Sequence, residues 1–546
     1  MATNYEKLKQ ENIKEYGRGT VHLSYLGMLY SDRTHFVFEL LQNAEDAGAS
    51  HVRVDLYADR LEFRHNGRPF DSGDVKGICS VGQSVKKEDL TLIGKFGIGF
   101  KSVYAYTNRP EVHSSDEHFA IEHFVRPKAV APRQTDGQET LFVFPFDHPE
   151  VSSSQAYREI EARLNSLTHV TLLFLRNLKE LAWFLHNSKT EAGLLVRSQL
   201  DYNGLKLVSV SEQASGFSTE WLMFERPVSS KSSVMPLRVE IAFATRRNQD
   251  GVLEIQAFPR SQLVVFFPTE KETHVGFLIQ GPYRTTPARD NIPQHNEFNQ
   301  LLIVETAALI EDALRSLRDA RMLTVEVLDL LPIWAMDFPK ESMFYPLFEG
   351  ILESLRSEKL LPCQDGTYAN AASCKIARGG PVRELLSDTQ LSELFGGSVR
   401  VKWLSPEITA DRKPRLSAFL RASMGVREID VPDLAANITD QFLCNQSDEW
   451  LQKLYLFLDQ HRQVTRKQSP TFLSKEFIRL ADGSMVRPFD SQGRANAFLP
   501  AEGCEGFPTI KKSLVEDRRI ELFFVGLGLE EPDVYAYIEK TILPLY

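Results

Sequence analysis

Three glycines precede a helical segment in GKFGIGFKS, residues 94–102. Gly94, Gly97 and Gly99 let main-chain N–H groups approach an anion closely, and the N-terminus of the following helix adds a partial positive charge. The local chemistry therefore favours phosphate. A tight turn that binds nothing is the structural alternative, and for a pattern this short it is the more frequent outcome.

Polar side chains also line one face of an apolar segment, FELLQNAEDAGAS, residues 38–50. Glu39, Asn43 and Asp46 are spaced at i, i+4 and i+7, so a helix places them on one side and its apolar residues on the other. A mostly buried helix with a carboxylate, an amide and a second carboxylate on one face predicts a ligand or a set of polar partners. A solvated helix face is the alternative.

The segments around these two features alternate as in an α+β sandwich with helices stacked on one face of a sheet. Period-two patterns predict strands at HVRVDLY and RLEFRH, and apolar runs predict strands at LFVFPF and VTLLFL. DSGDVKGICSVG predicts a short capped helix. From about residue 200 longer strands follow, and EFNQLLIVETAALIEDALRSLRDA predicts the helix that ends this second block.

Two segments beyond residue 331 resemble each other. LSAFLRASMGVREIDVPDLAANI aligns with IELFFVGLGLEEPDVYAYIEKTI, so that Gly425 matches Gly528. An Asp-Gly turn precedes each segment, at Asp365-Gly366 and Asp482-Gly483. The separations differ, so a duplication and a chance match both stay open.

Length, charge and cysteine usage limit the classes of function. A chain of 546 residues predicts three or four domains, and a net charge of −10 gives no general attraction to nucleic acid. Five cysteines without a CxxC pair favour reduced thiols over disulfides or a zinc site. The absence of a signal-like or long apolar run predicts a cytoplasmic protein with no membrane partner. No motif of a serine or cysteine nucleophile occurs.

The ordered set of a Glu-x-x-x-Asn helix, a strand with an Asn-Gly turn and a G-x-x-G-x-G-F turn resembles the GHKL ATP-binding fold. DNA gyrase, the ninety-kilodalton heat-shock chaperone, histidine kinases and the MutL mismatch-repair protein share that fold. FELLQNAEDAGA, SVGQSVKK and IGKFGIGFKSVYAYTNRPEVHS are similar to the branch that contains sacsin and the plant protein NO VEIN. The resemblance is specific over residues 30–125 and looser to about residue 300.

The resemblance implies roles for the polar stripe and the turn. Asn43 would hold Mg²⁺ through its side-chain oxygen, Glu39 would act as the general base for the attacking water, and Asp46 would face the nucleotide. The segment SVGQSVKKEDLTLIGKFG resembles a mobile lid over ATP, with lysines that could neutralise phosphates. The ATP-binding residues implied by the turn and lid are Ser84, Lys86, Gly94, Lys95, Phe96, Gly97, Ile98, Gly99, Phe100 and Lys101.

The chain departs from the family in the motif that binds the adenine base. Many GHKL proteins begin a D-x-G-x-G motif with an aspartate that accepts a hydrogen bond from adenine, whereas RHNGRPF has His65 there and Pro69 at the second glycine. A neutral His65 nitrogen or the Asn66 carbonyl, beside Gly67, could accept that bond instead. Thr171 resembles a strand threonine that supports adenine recognition. Arg289 in TTPARDNI resembles an arginine that reaches the γ-phosphate from the next domain.

The resulting expectation is an α+β chain that begins with a GHKL (Bergerat) ATP-binding sandwich. A transducer-like α+β domain and a mixed α/β region follow it. Two functions remain: a Mg²⁺-dependent ATPase that remodels or grips a protein or nucleic-acid client in chaperone-like or defence work, and a scaffold that binds partners without hydrolysis. A partner subunit or a nucleotide-dependent dimer is compatible with both. The expected segments are 1–33, 34–200, 201–330, 331–435 and 436–546.

Overall fold

The computed structural model describes residues 2–19, 23, 32–81, 99–135, 139–187, 192–213, 216–229, 237–286, 291–462, 472–502 and 506–533. The chain divides into two compact units, residues 1–351 and 352–546. Over the described ranges, no helix has the length and apolar character needed to cross a membrane.

The first unit is built on one mixed sheet of fifteen strands in the order β14-β13-β15-β11-β10-β9-β8-β7-β1-β2-β6-β3-β4-β5, with β12 beside β11. Neighbouring strands are antiparallel except for the pairs β1–β7 and β13–β15. The strands are β1 His51–Leu56, β2 Arg60–His65, β3 Glu111–Ser114, β4 Glu117–Glu122, β5 Arg126–Ala129, β6 Thr140–Pro145, β7 Glu180–Leu185, β8 Ala192–Tyr202, β9 Leu205–Glu212, β10 Phe217–Val228, β11 Leu237–Arg247, β12 Leu253–Ile255, β13 Gln262–Val265, β14 Phe267–Glu272 and β15 Leu278–Gln280.

Helices cover the apolar residues of this sheet, and one core cluster extends from α1 through both halves of the sheet. β1 and β2 are strands as predicted, but buried and exposed residues alternate only over the first four residues of β1, and most residues of β2 are buried. The helices are α1 Tyr5–Tyr16, α2 Phe36–Asp46, α3 Ser72–Ile78, α4 Ser153–Asn165, α5 Val170–Leu173, α6 Glu297–Asp319, α7 Val325–Asp329 and α8 Tyr345–Ser357.

Two expectations for this unit differ from the structure. VTLLFL is not a strand: residues 170–173 form the buried helix α5, because an unbroken apolar run fits a buried helix as well as a buried strand. The position expected to separate two domains, between residues 200 and 201, lies inside β8. That strand pairs with β7 on one side and β9 on the other.

The second unit combines short strands with helices around its own apolar core. Its strands are β16 Leu361–Pro362, β17 Tyr368–Ala369, β18 Cys374–Ala377, β19 Lys402–Trp403, β20 Glu428–Ile429, β21 Ile478–Arg479 and β22 Met485–Val486. Its helices are α9 Gly380–Leu385, α10 Asp388–Phe395, α11 Pro414–Ala422, α12 Val431–Asn437, α13 Asp440–Cys444, α14 Asp448–Gln460 and α15 Arg518–Leu527.

Both Asp-Gly turns close a two-stranded hairpin in the same way. Asp365 accepts hydrogen bonds from the N–H and hydroxyl of Thr367 at 3.0 and 2.6 Å. Asp482 accepts the same two bonds from Ser484 at 2.9 and 2.6 Å. The first hairpin is β16–β17 and the second is β21–β22. The turns are therefore equivalent in structure as well as in sequence.

The segment after each hairpin also repeats its hydrogen bonds. In each copy, two consecutive residues of a central extended segment form these bonds. The carbonyl of the first residue accepts from the extended segment on one side. The N–H of the second residue donates to the segment on the other side, two residues after the aligned glycine. The bonds are Leu404 N–H to Lys375 O and Ile376 N–H to Arg427 O in the first copy, and Ile510 N–H to Phe498 O and Leu499 N–H to Glu530 O in the second. This shared architecture favours a duplication over a chance match.

Candidate functional site

Helix α2 begins from a capped turn and lies in the core. The side chain of Asp32 accepts a hydrogen bond from Thr34 N–H at 2.8 Å and so caps the 3₁₀ turn Arg33–His35 that leads into α2. Arg163 of α4 bonds both Asp32 and Thr34. The start of the helix that carries the polar stripe is therefore fixed to a second helix.

Glu39 points at the main chain of Gly99. Its side chain is only 6% exposed, and its Oε1 lies 3.7 Å from Nε2 of His35. Gly99 begins the 3₁₀ helix Gly99–Ala105, and a Cβ at this residue would overlap Oε2 of Glu39. The structure thus brings the first residue of the polar stripe against the last glycine of the turn.

Asn43 lies one helical turn after Glu39 and is half-buried. Its main-chain carbonyl accepts from Ala47 N–H at 3.0 Å as part of the helix. Among the residues that the structure describes, its side-chain amide has no hydrogen-bond partner. A half-buried amide with unused donors and an acceptor is suited to a polar ligand.

Asp46 is half-buried at the end of α2. The residue before it, Glu45, is bonded to the main chain of another segment. Glu45 accepts main-chain N–H groups of Arg176, Asn177 and Leu178 at 2.8, 2.9 and 2.9 Å. These bonds fasten the C-terminal end of α2 to the segment before β7. Sequence reasoning missed Glu45 because a carboxylate beside the polar stripe is indistinguishable in type from a ligand-facing one.

The His65–Gly67 turn packs on the C-terminal end of α2. A Cβ at Gly67 would lie 2.8 Å from Ala47 O, so glycine permits the close approach. Asn66 accepts from Ser50 N–H and His51 N–H at 2.9 and 3.0 Å. The Asn66 carbonyl, predicted as an acceptor for adenine, is thus occupied by main-chain donors.

His65 is 3% exposed at the end of β2. Its Nδ1 accepts a hydrogen bond from Gly67 N–H at 3.1 Å. Burial without a charged partner lowers the pKa of His65 to about 4, so the ring is neutral near pH 7. The ring also lies beside Phe142, with 6.0 Å between centroids.

The threonine beside His65 is Thr140, not Thr171. Thr171 belongs to α5, and its hydroxyl accepts from Thr168 N–H at 3.3 Å within its own turn. Thr140 is directly opposite His65 in the β2–β6 register, and its hydroxyl bonds that of Ser114 at 2.6 Å. Thr140 is a neighbour of His65 because β2 pairs with β6, and this pairing of residues far apart in the chain is the signal that could have identified it.

Lys101 does not face the polar stripe. Its Nζ donates to the carbonyls of Ile78 and Phe124 at 2.6 and 2.5 Å, and the residue is 1% exposed. Burial lowers the pKa of Lys101 to about 8. The predicted role in neutralising phosphates does not match this position. The neighbouring Phe100 packs on the ring of Phe142 at 5.9 Å between centroids.

The remaining predicted residues lie outside the described residues and stay predictions: Ser84, Lys86, Gly94, Lys95, Phe96, Gly97, Ile98 and Arg289. On either side of residues 287–290, Thr286 N–H donates to Asn291 O at 3.0 Å. Asn291 N–H in turn donates to the hydroxyl of Thr286 at 3.2 Å.

The described part of the chain contains no cluster of three or more His, Cys, Asp or Glu side chains that could hold a metal ion.

Residues 62–125 match the Sacsin domain. The matched range contains His65, Gly99 and Lys101, and ends before β5. Over 404 residues the chain is 26% identical to Protein NO VEIN of Arabidopsis thaliana, an alignment that covers 67% of this chain and 14% of that protein. Over 105 residues it is 34% identical to human sacsin, covering 16% of this chain and 2% of sacsin.

The chain thus spans about a seventh of NO VEIN and a far smaller share of sacsin. Among solved structures, it resembles an entity described as the N-terminal domain of a DNA repair protein, with 13% identity and a TM-score of 0.33. That similarity covers 54% of this chain and 97% of the solved one. The Sacsin-domain match and the similarity to NO VEIN and sacsin support a sacsin- and NO VEIN-like character for the chain.

Proposed function

We propose that the first unit, residues 1–351, contains a GHKL-type module that binds ATP with Mg²⁺, and that the protein hydrolyses ATP. The observation that carries the proposal is the contact between the buried carboxylate of Glu39 and the main chain of Gly99. Gly99, the last glycine of GKFGIGFKS, thus meets a helix face that carries a carboxylate and an amide. The similarity to NO VEIN and sacsin agrees with this location, since the Sacsin match begins at residue 62 and includes the turn residue Gly99.

Each side chain of the stripe has a separate task in this proposal. The amide oxygen of Asn43 holds the metal–phosphate group, and its unused hydrogen-bonding capacity makes it available. Glu39, held next to Gly99, orients the attacking water and accepts its proton. When bound, Mg²⁺ supplies positive charge that stabilises the phosphate oxygens during phosphoryl transfer. A water-poor setting strengthens these interactions, since Glu39 is almost fully buried.

A scaffold that binds partners without hydrolysis is the second candidate. The duplicated module of residues 352–546 favours it, because two copies of one architecture offer repeated surfaces for a partner. We propose a protein client or partner subunit for this unit, in chaperone-like or defence work. The net charge of −10 provides no general attraction to nucleic acid. Binding of nucleic acid is therefore the alternative outcome in binding assays.

Steady-state phosphate release with Mg²⁺ and ATP separates the two candidates. We expect turnover by the wild type, and Glu39→Ala to bind ATP but release phosphate at least about a hundredfold more slowly, the low end of a general-base contribution. Glu11→Ala is the control, since Glu11 is an exposed carboxylate on α1. Equal turnover by wild type and Glu39→Ala would contradict hydrolysis at this site. ATP binding without turnover by the wild type would favour the scaffold.

A further inference from the structure

The His65–Gly67 turn lies at the opposite end of the polar stripe from Gly99. Glu39 and Asp46 are separated by seven residues, or about 10 Å along a helix. Ala47, the next residue, accepts a hydrogen bond from Arg68 N–H at 2.8 Å and contacts Gly67. If the phosphates lie at Glu39 and the nucleotide extends along the stripe, its base lies towards this turn.

Most polar groups of the turn already have partners. The amide of Asn66 bonds Ser50 and His51 through its oxygen, and its nitrogen donates to the Ser50 hydroxyl at 2.9 Å. The guanidinium of Arg68 is held by Asp74 at 2.7 and 2.9 Å. The N–H of Gly67 donates to Nδ1 of His65. Among the side chains of residues 65–67, and over the described residues, one ring nitrogen of His65 is therefore the polar atom left without a hydrogen-bond partner.

The hydrogen bond from Gly67 fixes which nitrogen of His65 carries the proton. Nδ1 accepts from Gly67 N–H at 3.1 Å, so it must be unprotonated. A neutral imidazole then carries its proton on Nε2. Burial keeps the ring neutral over the physiological range, since it lowers the pKa of His65 to about 4. The remaining nitrogen is consequently a donor and cannot accept a hydrogen bond from an amino group.

We propose that this site recognises its base through an acceptor atom, and that a 6-oxopurine nucleoside triphosphate binds more tightly than ATP. The inference rests on the proposed function, because it concerns the base of the nucleotide bound there. Nε2–H of His65 donates to the oxo group. The same donor would face the amino group of adenine, leaving two donors opposed in a nearly buried position, which is unfavourable.

The test compares the affinities of Mg-ITP and Mg-ATP, which differ in the base by an oxo group in place of an amino group and the attendant proton on N1. Calorimetry or ligand competition is applied to the wild type, His65→Asn and His65→Asp. Asparagine can accept from Gly67 N–H with its oxygen and still donate with its nitrogen, whereas aspartate only accepts. The two variants have nearly the same shape, and their thermal unfolding is measured alongside.

We expect the wild type and His65→Asn to bind Mg-ITP about tenfold more tightly than Mg-ATP, and His65→Asp to reverse the preference. The wild-type ratio should stay constant from pH 6 to 8, because the ring remains neutral there. A wild type that prefers Mg-ATP, or a ratio that changes over this pH range, would overturn the inference and leave ATP binding intact. If neither nucleotide binds the wild type, the proposed function fails together with the inference. Should His65→Asp be unfolded, the wild-type ratio and its pH profile still decide.

Discussion

The carboxylate of Glu39 occupies the space in which a side chain at Gly99 would begin. This relationship joins helix α2 to Gly99, sixty residues later in the chain. Glu39 can therefore occupy its buried position only because residue 99 is glycine, whatever the conformation of the turn. Substitutions at these two positions test different parts of the proposal.

Gly99→Ala should displace Glu39 and impair catalysis. We expect ATP turnover to fall about a hundredfold, since a misplacement of about 1 Å at a reacting group has effects of that size. Gly77→Ala is the matched control: it lies in α3, and a Cβ there has no atom within 4 Å. This control should keep full turnover and gain about 0.5–1 kcal/mol in the free energy of unfolding. Normal turnover by Gly99→Ala would show that the position of Glu39 is unimportant for the reaction.

Two asparagines should respond in opposite ways. Asn43→Ala removes an amide without a hydrogen-bond partner among the described residues, so we expect the free energy of unfolding to change by less than about 0.5 kcal/mol. Its affinity for Mg-nucleotide should fall about tenfold. Asn66→Ala removes the acceptor of Ser50 N–H and His51 N–H and should cost about 1 kcal/mol in stability. Urea unfolding and nucleotide titration of both variants provide the check, and a destabilised Asn43→Ala with unchanged affinity would assign Asn43 a structural role.

Glu45→Gln should loosen the end of α2. The substitution places an amide group where three main-chain N–H groups converge on a carboxylate that is 6% exposed. Loss of these charge-assisted bonds should lower the free energy of unfolding by about 2–3 kcal/mol. Glu11→Gln, on an exposed face of α1, serves as the control and should leave stability unchanged. Hydrogen exchange should locate the loss of protection at residues 176–178, and protection equal to the wild type would refute the clamp.

Stability should increase with pH between about 8 and 10.5 because of Lys101. The pKa of Lys101 is about 8 in the folded state, against 10.5 for the exposed group. Below pH 8 both states are protonated and the folded state bears the full burial penalty. Between the two pKa values only the unfolded state keeps the proton, so unfolding becomes less favourable as pH rises, by about 3 kcal/mol in total.

Lys101→Met removes this titration while keeping a long side chain. The difference in the free energy of unfolding between wild type and variant, measured by denaturant from pH 7 to 10, cancels the other titrating groups. We expect this difference to change steadily in favour of the wild type as pH rises. A difference that is independent of pH would mean that Lys101 titrates normally and reaches solvent.

The sequence predicts best those parts of the fold whose pattern has a period or a capping side chain. The strand β1, which alternates over its first four residues, the capped helix α3 and the long helix α6 are confirmed. The strands β2 and β6 are confirmed as well, although most of their residues are buried without alternation. VTLLFL has no such period, and its prediction as a strand was wrong. In the sequence, the resemblance between the two C-terminal segments consists of two turns and a few matched residues, because shared main-chain bonds tolerate different side chains.

The site was less predictable than the fold. Spacing within α2 predicts that Glu39 and Asn43 share a face, because three to four residues make one helical turn. The clamp at Glu45 depends on partners 131 to 133 residues away, which local spacing cannot show. Lys101 follows the glycine turn as a phosphate-binding lysine would, and only the packing around Ile78 and Phe124 reveals its burial.

The position of β8 within the sheet determines where the chain can be cut. This strand forms continuous pairs with β7 and with β9, so a fragment that ends at residue 200 would have an open edge of unpaired main-chain groups. Such edges invite self-association between chains. Expression of the first 200 residues alone should therefore yield aggregates, whereas a fragment that includes α6 and the strands before it retains every partner of β8.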